Sequence, residues 1–352
     1  MSRQSVALVE SPAQLLHAIE WCHANAASTT TLIAVLAPKD GHGRSQLRTL
    51  ASLALAAGIT VRWFDPRKSL AASVAAVAAL RRQLRHARRL VVGDPSSGLV
   101  QAMLPCAGAR DVVIVDDGAS TVEFAEHLAA GRPLTRWSNH QGGIVDGLRS
   151  RMAARARDFF TPSASRSVGL FTVMPTVEVP GLWVQPNGYD WSRTRFGAPD
   201  VVPGTDIVGT SLVETGLVCE VSYLGIVTEL VGRRATGHYY AHRREDDGKL
   251  QRLSQATGLT IVRPALPLEL ELCAGAVAEH LVCFPSSVGF TLPVVLRRVP
   301  TTISVIEVPG DCLDSRIDDR ARAFLQKLPH LANERLTPKP WATQAQEVTP
   351  WG

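Results

Sequence analysis

VVIVDDGAS, residues Val112 to Ser120, joins four consecutive β-branched aliphatic side chains to two adjacent carboxylates, Asp116 and Asp117. Such an apolar run is typical of a parallel strand that is buried on both faces. In open α/β sheets ligands bind beyond the carboxyl ends of the strands, so the two aspartates lie where catalytic groups are expected. A DDG triplet is also typical of strand-to-helix turns in which an aspartate caps the next helix. The rest of the chain has to decide between these interpretations.

Strand and helix patterns alternate before this stretch. Apolar, β-branched runs predict strands at Ser5–Val9, Thr30–Leu36 and Ile59–Phe64. Helical patterns lie between the strands, as in the segment from Leu70 to His86, which repeats valine and leucine at helical spacing on one face. The alternation predicts a parallel sheet with crossover helices.

A second alternating set begins at DIVGTSLVE, residues Asp206 to Glu214, and continues to the strand pattern TTISVIEV. The two sets are of similar size and show no internal repeat. We therefore predict an α/β protein with two Rossmann-like domains that face each other across a cleft. The predicted boundaries are 1–165 for the first domain, 166–203 for a linker rich in Pro, Gly and Trp, 204–330 for the second domain and 331–352 for a tail.

The composition is that of a globular protein. The 352 residues suffice for two domains, and the hydrophobic share of 45% with 20% charged residues gives no sign of extended disorder. The net charge of +5 comes mainly from two arginine-rich helical patterns, one with Arg81, Arg85 and Arg88 and one from Arg149 to Arg157. These arginines indicate either solvated helix faces or a surface for an acidic acceptor or anionic lipid headgroups. No aromatic side chains interleave with them, so nucleic acid is not a predicted partner.

The chain has no obvious targeting or metal-binding pattern. No segment reaches the roughly 18 apolar residues of a membrane span, and the apolar run before Glu10 is too short for a signal peptide. We therefore expect the protein in the cytoplasm. The six cysteines are scattered without a CxxC pair, so we expect reduced thiols and no metal site.

Two motifs of the second half are suited to a phosphate. His242 follows the strand pattern HYYA and precedes Arg243, a combination that offers a titratable ring and a fixed positive charge, although an exposed basic turn has the same pattern. Ser286 and Ser287 follow the apolar run HLVCF and open a helical pattern. Their hydroxyls and the helix amino terminus can bind an oxyanion, or the serines can simply cap the helix.

Two further positions fit a nucleotide. Glu269, in LPLELEL, begins an apolar helical pattern, where a carboxylate can accept hydrogen bonds from ribose hydroxyls or merely respond to the helix dipole. Gly209 and Thr210 lie at a strand-to-helix junction, where glycine permits close approach of the backbone to a ligand. Neither a Walker loop nor GxGxxG is present.

Taken in order, these motifs resemble those of the bacterial GT-B-fold sialyltransferases, in particular the polysialyltransferase and lipooligosaccharide sialyltransferase group. The similarity covers about residues 5 to 310 and consists of short motifs, so only their combination is specific. The matching segments are LVESPAQLLHAIE, the DDG triplet, GTSLVETG, YYAHRRE, LPLELEL and CFPSSVGFTL. One position departs from the family pattern, because Arg243 stands where proline usually follows the histidine.

The resemblance implies a glycosyltransferase that moves a sialic or related nonulosonic acid from its CMP-activated form to a hydroxyl of a glycan or glycolipid acceptor near the inner membrane surface. It implies an inverting displacement without a metal or other cofactor. Asp116, with Asp117 as the alternative, would be the base and His242 the acid. The donor would contact Glu269, Ser286 and Ser287, with Gly209 and Thr210 lining the cleft. The other hypotheses are a GT-B transferase or epimerase that uses a UDP-sugar, and a non-catalytic module that binds acidic glycan or membrane.

Overall fold

The computed structural model describes residues 4–135, 144–233, 236–314, 317 and 319–336. Within these ranges the strands form two fully parallel sheets, as the alternating patterns predicted. The strands are β1 (Ser5–Val9), β2 (Thr31–Leu36), β3 (Thr60–Phe64), β4 (Arg89–Val92), β5 (Asp111–Val115), β6 (Ser167–Thr172), β7 (Leu182–Pro186), β8 (Asp200–Val208), β9 (Thr236–Tyr240), β10 (Thr260–Val262), β11 (Ala276–Cys283) and β12 (Thr302–Val305). The first sheet has the order β3-β2-β1-β4-β5-β6-β7 and the second the order β10-β9-β8-β11-β12.

Helices cover the faces of both sheets. They are α1 (Pro12–Ala24), α2 (Gly41–Ala56), α3 (Leu70–His86), α4 (Gly98–Met103), α5 (Ala119–Ala129), α6 (Ile144–Phe160), α7 (Asp190–Phe196), α8 (Glu220–Arg233), α9 (Asp247–Thr257), α10 (Leu268–Ala274), α11 (Val288–Val295) and α12 (Asp319–Leu336). At the start of α1 the Ser11 hydroxyl accepts from the Gln14 N–H at 3.2 Å, and Pro12 takes the first helical position. A serine cap followed by proline at the first helical position is a favourable helix start.

The strand of VVIVDDGAS is buried on both faces, which confirms the first prediction. Val113 and Val115 belong to one apolar cluster, while Val112 and Ile114 belong to the cluster on the opposite face. The first of these clusters continues into the second domain, where it includes Phe290. The two domains therefore share a continuous core beside the cleft.

The predicted linker is wrong over much of its length. Strands β6 and β7 lie inside residues 166–203 and extend the first sheet, so the first domain reaches Pro186. The pattern is weak because β7 is an edge strand with partly exposed side chains, and because Gly169 leaves its space in β6 to the Trp183 ring. Strand β8 also begins earlier than predicted, at Asp200.

The predicted tail begins too early. Helix α12 continues to Leu336 although it contains Pro329, a residue that normally ends helices. The Asn333 side chain accepts from the Val305 N–H at 3.1 Å and donates to the Val305 carbonyl at 2.9 Å, so the helix covers the edge strand β12. Residues 337–352 of the tail lie outside the described residues. None of the described helices is long and apolar enough to span a membrane.

Candidate active site

A cavity of about 400 Å³ lies between the two domains, at the carboxyl ends of both sheets. It brings together all but one of the predicted site residues, although these are spread over more than 170 positions of the chain. The predicted residues on its wall are Asp117, Gly209, Thr210, His242, Arg243, Glu269, Ser286 and Ser287. The exception is Asp116.

Asp116 is buried beneath the loop. Only 1% of the residue is exposed, the Thr172 hydroxyl donates to its Oδ1, and the Val173 N–H donates to its Oδ2 at 2.8 Å. Burial raises the pKa of the Asp116 carboxyl, with His17 and these hydrogen bonds acting in the opposite direction. Both carboxylate oxygens of Asp116 therefore accept hydrogen bonds from residues at the end of β6. The geometry does not support our preference for Asp116 as the base, because a base has to reach the acceptor hydroxyl.

Asp117 faces the cavity from a loop that is held on both sides. Its N–H donates to Thr121 Oγ1 at 2.9 Å, and the Ser11 hydroxyl lies 3.4 Å from its Oδ1. Gly118 follows with φ +62°, a conformation that side chains disfavour, and a Cβ at this position would lie 2.9 Å from Cβ of Ser287. In the DDG triplet, therefore, Asp116 supports the loop, Asp117 supplies a carboxylate to the cavity wall, and Gly118 allows the second domain to approach closely.

The His242 ring is neutral in the unliganded protein. Its Nδ1 lies 3.2 Å from the Arg244 N–H and accepts from it, so the proton of the neutral ring is on Nε2. Burial, together with the positive charges of Arg243, Arg244 and Lys249, lowers the pKa of His242 to about 3. We expected a proton donor that titrates near neutral pH. The structure instead gives an uncharged ring that can donate a hydrogen bond through Nε2.

A buried ionic network holds the His242 loop where the family pattern has proline. The His242 N–H donates to Glu245 Oε2 at 2.6 Å, while Glu245 Oε1 lies 2.7 Å from Nζ of Lys249. Lys249 is 1% exposed and also contacts Glu214 Oε1 at 2.9 Å. Tyr239 adds a hydrogen bond to Glu245 at 2.6 Å. Sequence reasoning missed this network, although a Glu four residues before a Lys is a known favourable spacing.

The same network explains Gly209. A Cβ on this residue would lie 2.5 Å from Oε2 of Glu245 and would also collide with the Tyr239 hydroxyl. The Gly209 N–H donates to the Tyr240 carbonyl at 2.9 Å, which continues the pairing of β8 with β9 into the loop. Glycine is therefore required here by the packing beneath the loop as well as by any ligand above it.

Glu269 and the serine pair form the remaining wall of the second domain. Glu269 is 8% exposed, and its Oε1 accepts from the Thr291 hydroxyl at 2.6 Å. Ser287 is the N-cap residue of α11 but makes no side-chain capping hydrogen bond, whereas the Ser286 hydroxyl donates to the Phe284 carbonyl at 3.2 Å. The simple capping interpretation of Ser287 is therefore wrong. The amino end of α11 presents polar groups to the cavity, as an anion site requires.

Two polar contacts cross the cleft beside the cavity. Nη1 of Arg243 lies 3.4 Å from Oδ2 of Asp40, the residue that caps α2. Nε2 of Gln46 donates to the carbonyls of Pro264 and Leu266 at 2.9 and 3.0 Å. The amino-terminal half of α2 thus contacts two loops of the second domain. Within the described residues, no group of three or more His, Cys, Asp or Glu side chains is placed to hold a metal ion, so the reaction without a metal stays a prediction.

No protein-family model matches the chain, and no curated protein sequence matches it. Among solved structures, it is similar to an α/β-galactoside α-2,3-sialyltransferase from Photobacterium phosphoreum, with a TM-score of 0.51 and 11% identity over 94% of this chain and 96% of the other. A 2,6-sialyltransferase from a Photobacterium species, solved with CMP and lactose, gives a TM-score of 0.47 and 10% identity over 94% of this chain and 76% of the other. The fold is GT-B, as predicted.

Proposed function

We propose that the protein is an inverting glycosyltransferase that moves a sialic or related nonulosonic acid from its CMP-activated form to a hydroxyl of a glycan acceptor. One observation carries the proposal. A single cavity is lined by Asp117 of the first domain and by three polar residues of the second domain that can donate to a phosphate, His242, Ser286 and Ser287. A base on one side and an oxyanion site on the other are what transfer from a sugar phosphate requires.

The second domain would bind the nucleotide. The Nε2–H of His242 and the hydroxyls of Ser286 and Ser287 would donate to the phosphate, and the amino end of α11 would add its partial positive charge. Glu269, a carboxylate on the cavity wall, would accept from the ribose hydroxyls. A bound phosphate brings negative charge close to His242, which would raise the pKa of this ring from about 3 towards the range where it can donate a proton.

The first domain would activate the acceptor. Asp117 would take the proton of the acceptor hydroxyl as its oxygen forms a bond to the anomeric carbon of the donor. The bond from that carbon to the phosphate oxygen breaks, and CMP leaves with the electron pair. The attacking oxygen and the leaving phosphate are on opposite faces of the carbon, which gives inversion. Closure of the two domains on the donor would exclude water, which would otherwise hydrolyse it.

Release of CMP from CMP-sialic acid in the presence of a glycan acceptor tests the reaction. We expect release by the wild type, with a loss of about 10²- to 10⁴-fold in Asp117→Ala and in His242→Ala. Thr49→Ala, an exposed change on α2, serves as the control. Absence of release with every CMP-nonulosonate, or unchanged release in both site variants, contradicts the proposal.

The UDP-sugar hypothesis predicts that the same cavity prefers a different nucleotide. A ligand that binds only the folded state raises its melting temperature, so a panel of nucleotides ranks the donors. We expect a larger rise with CMP than with UDP at equal concentration. The reverse order would favour a UDP-sugar transferase or epimerase, and no rise with any nucleotide would favour a non-catalytic module.

The acceptor would lie at the cytoplasmic face of a membrane in a pathway for cell-surface polysaccharide. Helix α3 has no acidic residue, and it exposes 82% of Leu70 and 62% of Val74 together with Arg81 and Arg85. Apolar side chains beside arginines suit anionic lipid. Arg81→Glu with Arg85→Glu should abolish sedimentation with phosphatidylglycerol vesicles and leave CMP release with a soluble acceptor unchanged. Unaltered sedimentation would contradict this location.

A further inference from the structure

A chain of polar residues behind the cavity joins the two domains. Within the described residues it runs from the backbone carbonyl of Asp116 through His17 and Tyr189 to Thr291 and Glu269. His17 is 3% exposed and Tyr189 0%, and neither lies on the cavity wall. His17 and Tyr189 therefore do not contact a substrate in the cavity, and they can act on the site only through other residues.

The direction of the first hydrogen bond is fixed by chemistry, and that of the second follows for a neutral His17 ring. Nδ1 of His17 lies 2.8 Å from the Asp116 carbonyl oxygen, which can only accept, so Nδ1 carries a proton. In the neutral ring Nε2 then accepts from the Tyr189 hydroxyl, 2.7 Å away. Burial, with the carboxylates of Glu269, Asp116 and Glu20 next in order, raises the pKa of Tyr189 well above its ordinary value. The phenol thus keeps its proton and stays a donor.

The end of these contacts in the second domain is Glu269, the proposed ribose contact. The Thr291 hydroxyl donates to Glu269 Oε1 at 2.6 Å and also interacts with Tyr189, where it lowers the pKa of the phenol against the effect of burial. Ribose hydroxyls that donate to Glu269 would compete with Thr291 for the carboxylate. Thr291 would then turn its proton towards Tyr189. Filling the donor site would therefore alter the hydrogen bonding of Tyr189.

The end of these contacts in the first domain is the peptide group between Asp116 and Asp117, which sets the direction of the Asp117 side chain. The carbonyl of Asp116 and the N–H of Asp117 belong to one planar peptide unit. His17 holds its oxygen, and Thr121 Oγ1 holds its N–H at 2.9 Å. Rotation of this unit would turn the Asp117 side chain away from the acceptor, so a hydrogen bond at the oxygen is a means of setting its direction.

We infer that His17 and Tyr189 are positioning residues that couple the occupancy of the donor site at Glu269 to the orientation of the Asp117 loop. The inference deepens the proposed function and rests on it for the identity of the donor and acceptor sides. Tyr189 occupies a suitable place, since it lies in the segment between the sheets and has a φ of +52°, an unusual value for a side-chain-bearing residue. Its position is thus strongly defined by the surrounding contacts.

Amide hydrogen exchange of the peptide 112–124 measures the coupling in the full-length protein. In the wild type we expect CMP to slow exchange of this peptide. In Tyr189→Phe we expect CMP to bind within about threefold of the wild-type affinity but to lose at least about threefold of that protection. Thr31→Val is the matched control, since it removes a buried hydroxyl that donates to the Ala27 carbonyl at 2.7 Å, at the amino end of β2.

Kinetics separate positioning from general support of the fold. Tyr189→Phe should lower kcat about tenfold with little change in KM for the CMP-sugar, because the donor site remains while the base is misdirected. His17→Asn keeps a donor near the Nδ1 position and should retain more activity than His17→Leu. Equal losses in these two variants, or CMP protection of the loop that persists in Tyr189→Phe, would overturn the inference.

An arm without ligand distinguishes failure of the inference from failure of the proposed function. If the wild type does not bind CMP, the donor assignment is wrong, and the coupling is judged on the unliganded protein. There, Thr291→Val in the second domain should speed exchange of peptide 112–124 in the first, whereas Thr301→Val, which removes a hydroxyl hydrogen bond of 2.7 Å elsewhere in that domain, should not. Unchanged exchange in Thr291→Val overturns the coupling whatever the ligand.

Discussion

The loop after β5 and the loop after β9 supply opposite walls of the cavity but are held in different ways. Hydroxyl, backbone and ring groups hold the first loop through hydrogen bonds from Thr172, Val173, Thr121 and His17. A buried ion network holds the second, with Lys249 between two glutamates. In the first loop the buried and the cavity-facing carboxylates are separate residues. In the second the buried Glu245 bonds directly to His242, so support and function are linked.

The largest expected effect is on turnover, at the first loop. Asp117→Asn keeps the size of the side chain but removes the proposed base, so CMP release should fall by about 10²- to 10⁴-fold with little change in melting temperature. Asp116→Asn should instead lower the free energy of unfolding by about 1 to 3 kcal/mol, because one amide N–H would face a hydrogen-bond donor. Parallel CMP-release and denaturant curves of both variants check this. If Asp116→Asn loses more turnover than Asp117→Asn and keeps the wild-type stability, Asp116 is the base and Asp117 is not.

The second effect is on stability, at the other loop. Lys249→Met leaves Glu214 and Glu245 buried beside each other without a cation, and should lower the free energy of unfolding by about 3 to 5 kcal/mol. CMP affinity should fall as well, because Glu245 accepts from the His242 N–H. Lys327→Met, at an exposed position of α12, is the matched control. If the two lysine variants have the same urea midpoint, charge does not hold the second loop.

The third effect is where the loop after β5 meets Ser287, at the amino end of α11 in the second domain. Gly118→Ala places a Cβ 2.9 Å from Cβ of Ser287 in a positive-φ conformation, and should cost about 1 to 3 kcal/mol of stability together with a loss of turnover. Gly131 also has a φ of +62° but no neighbour within 4 Å, so Gly131→Ala is the control for an alanine at positive φ without the contact. Ser287→Gly should restore part of the stability of Gly118→Ala. Equal free energies of unfolding for the two alanine variants would show that the contact with Ser287 adds no cost at Gly118.

The fourth effect is the pH dependence contributed by His242. Its pKa in the folded protein is about 3, against an ordinary value of 6.5. Between these values the unfolded chain binds a proton that the folded chain does not, so this contribution to stability is lost as the pH falls below 6.5.

His242→Asn binds no proton in either state. Its melting temperature should therefore fall less than that of the wild type as the pH is lowered from about 7 to about 4. The carboxyls with raised pKa, such as Asp116 and Glu245, act in the opposite direction but are common to both proteins. A difference in melting temperature that does not change with pH would mean that His242 titrates normally.

Much of the fold could be predicted because its signals are local. Strand β1 and helix α3 have the predicted bounds, since each is a periodic segment with clear ends. Strands β6 and β7 were missed because edge position and a packed glycine leave little pattern in the sequence. The cavity residues were found because each motif follows an apolar strand or begins a helix.

By itself, the sequence determined the parallel two-domain architecture and the set of residues at the cleft, because strand and helix periodicity and the chemistry at the strand ends are encoded by neighbouring residues. Only the tertiary structure decided that Asp117 rather than Asp116 faces the cavity, that His242 is neutral, and that His17 and Tyr189 lie behind the site. Each of these depends on burial and on partners far away in the chain. Desolvation and hydrogen-bond geometry, which set side-chain direction and pKa, arise only when the domains pack.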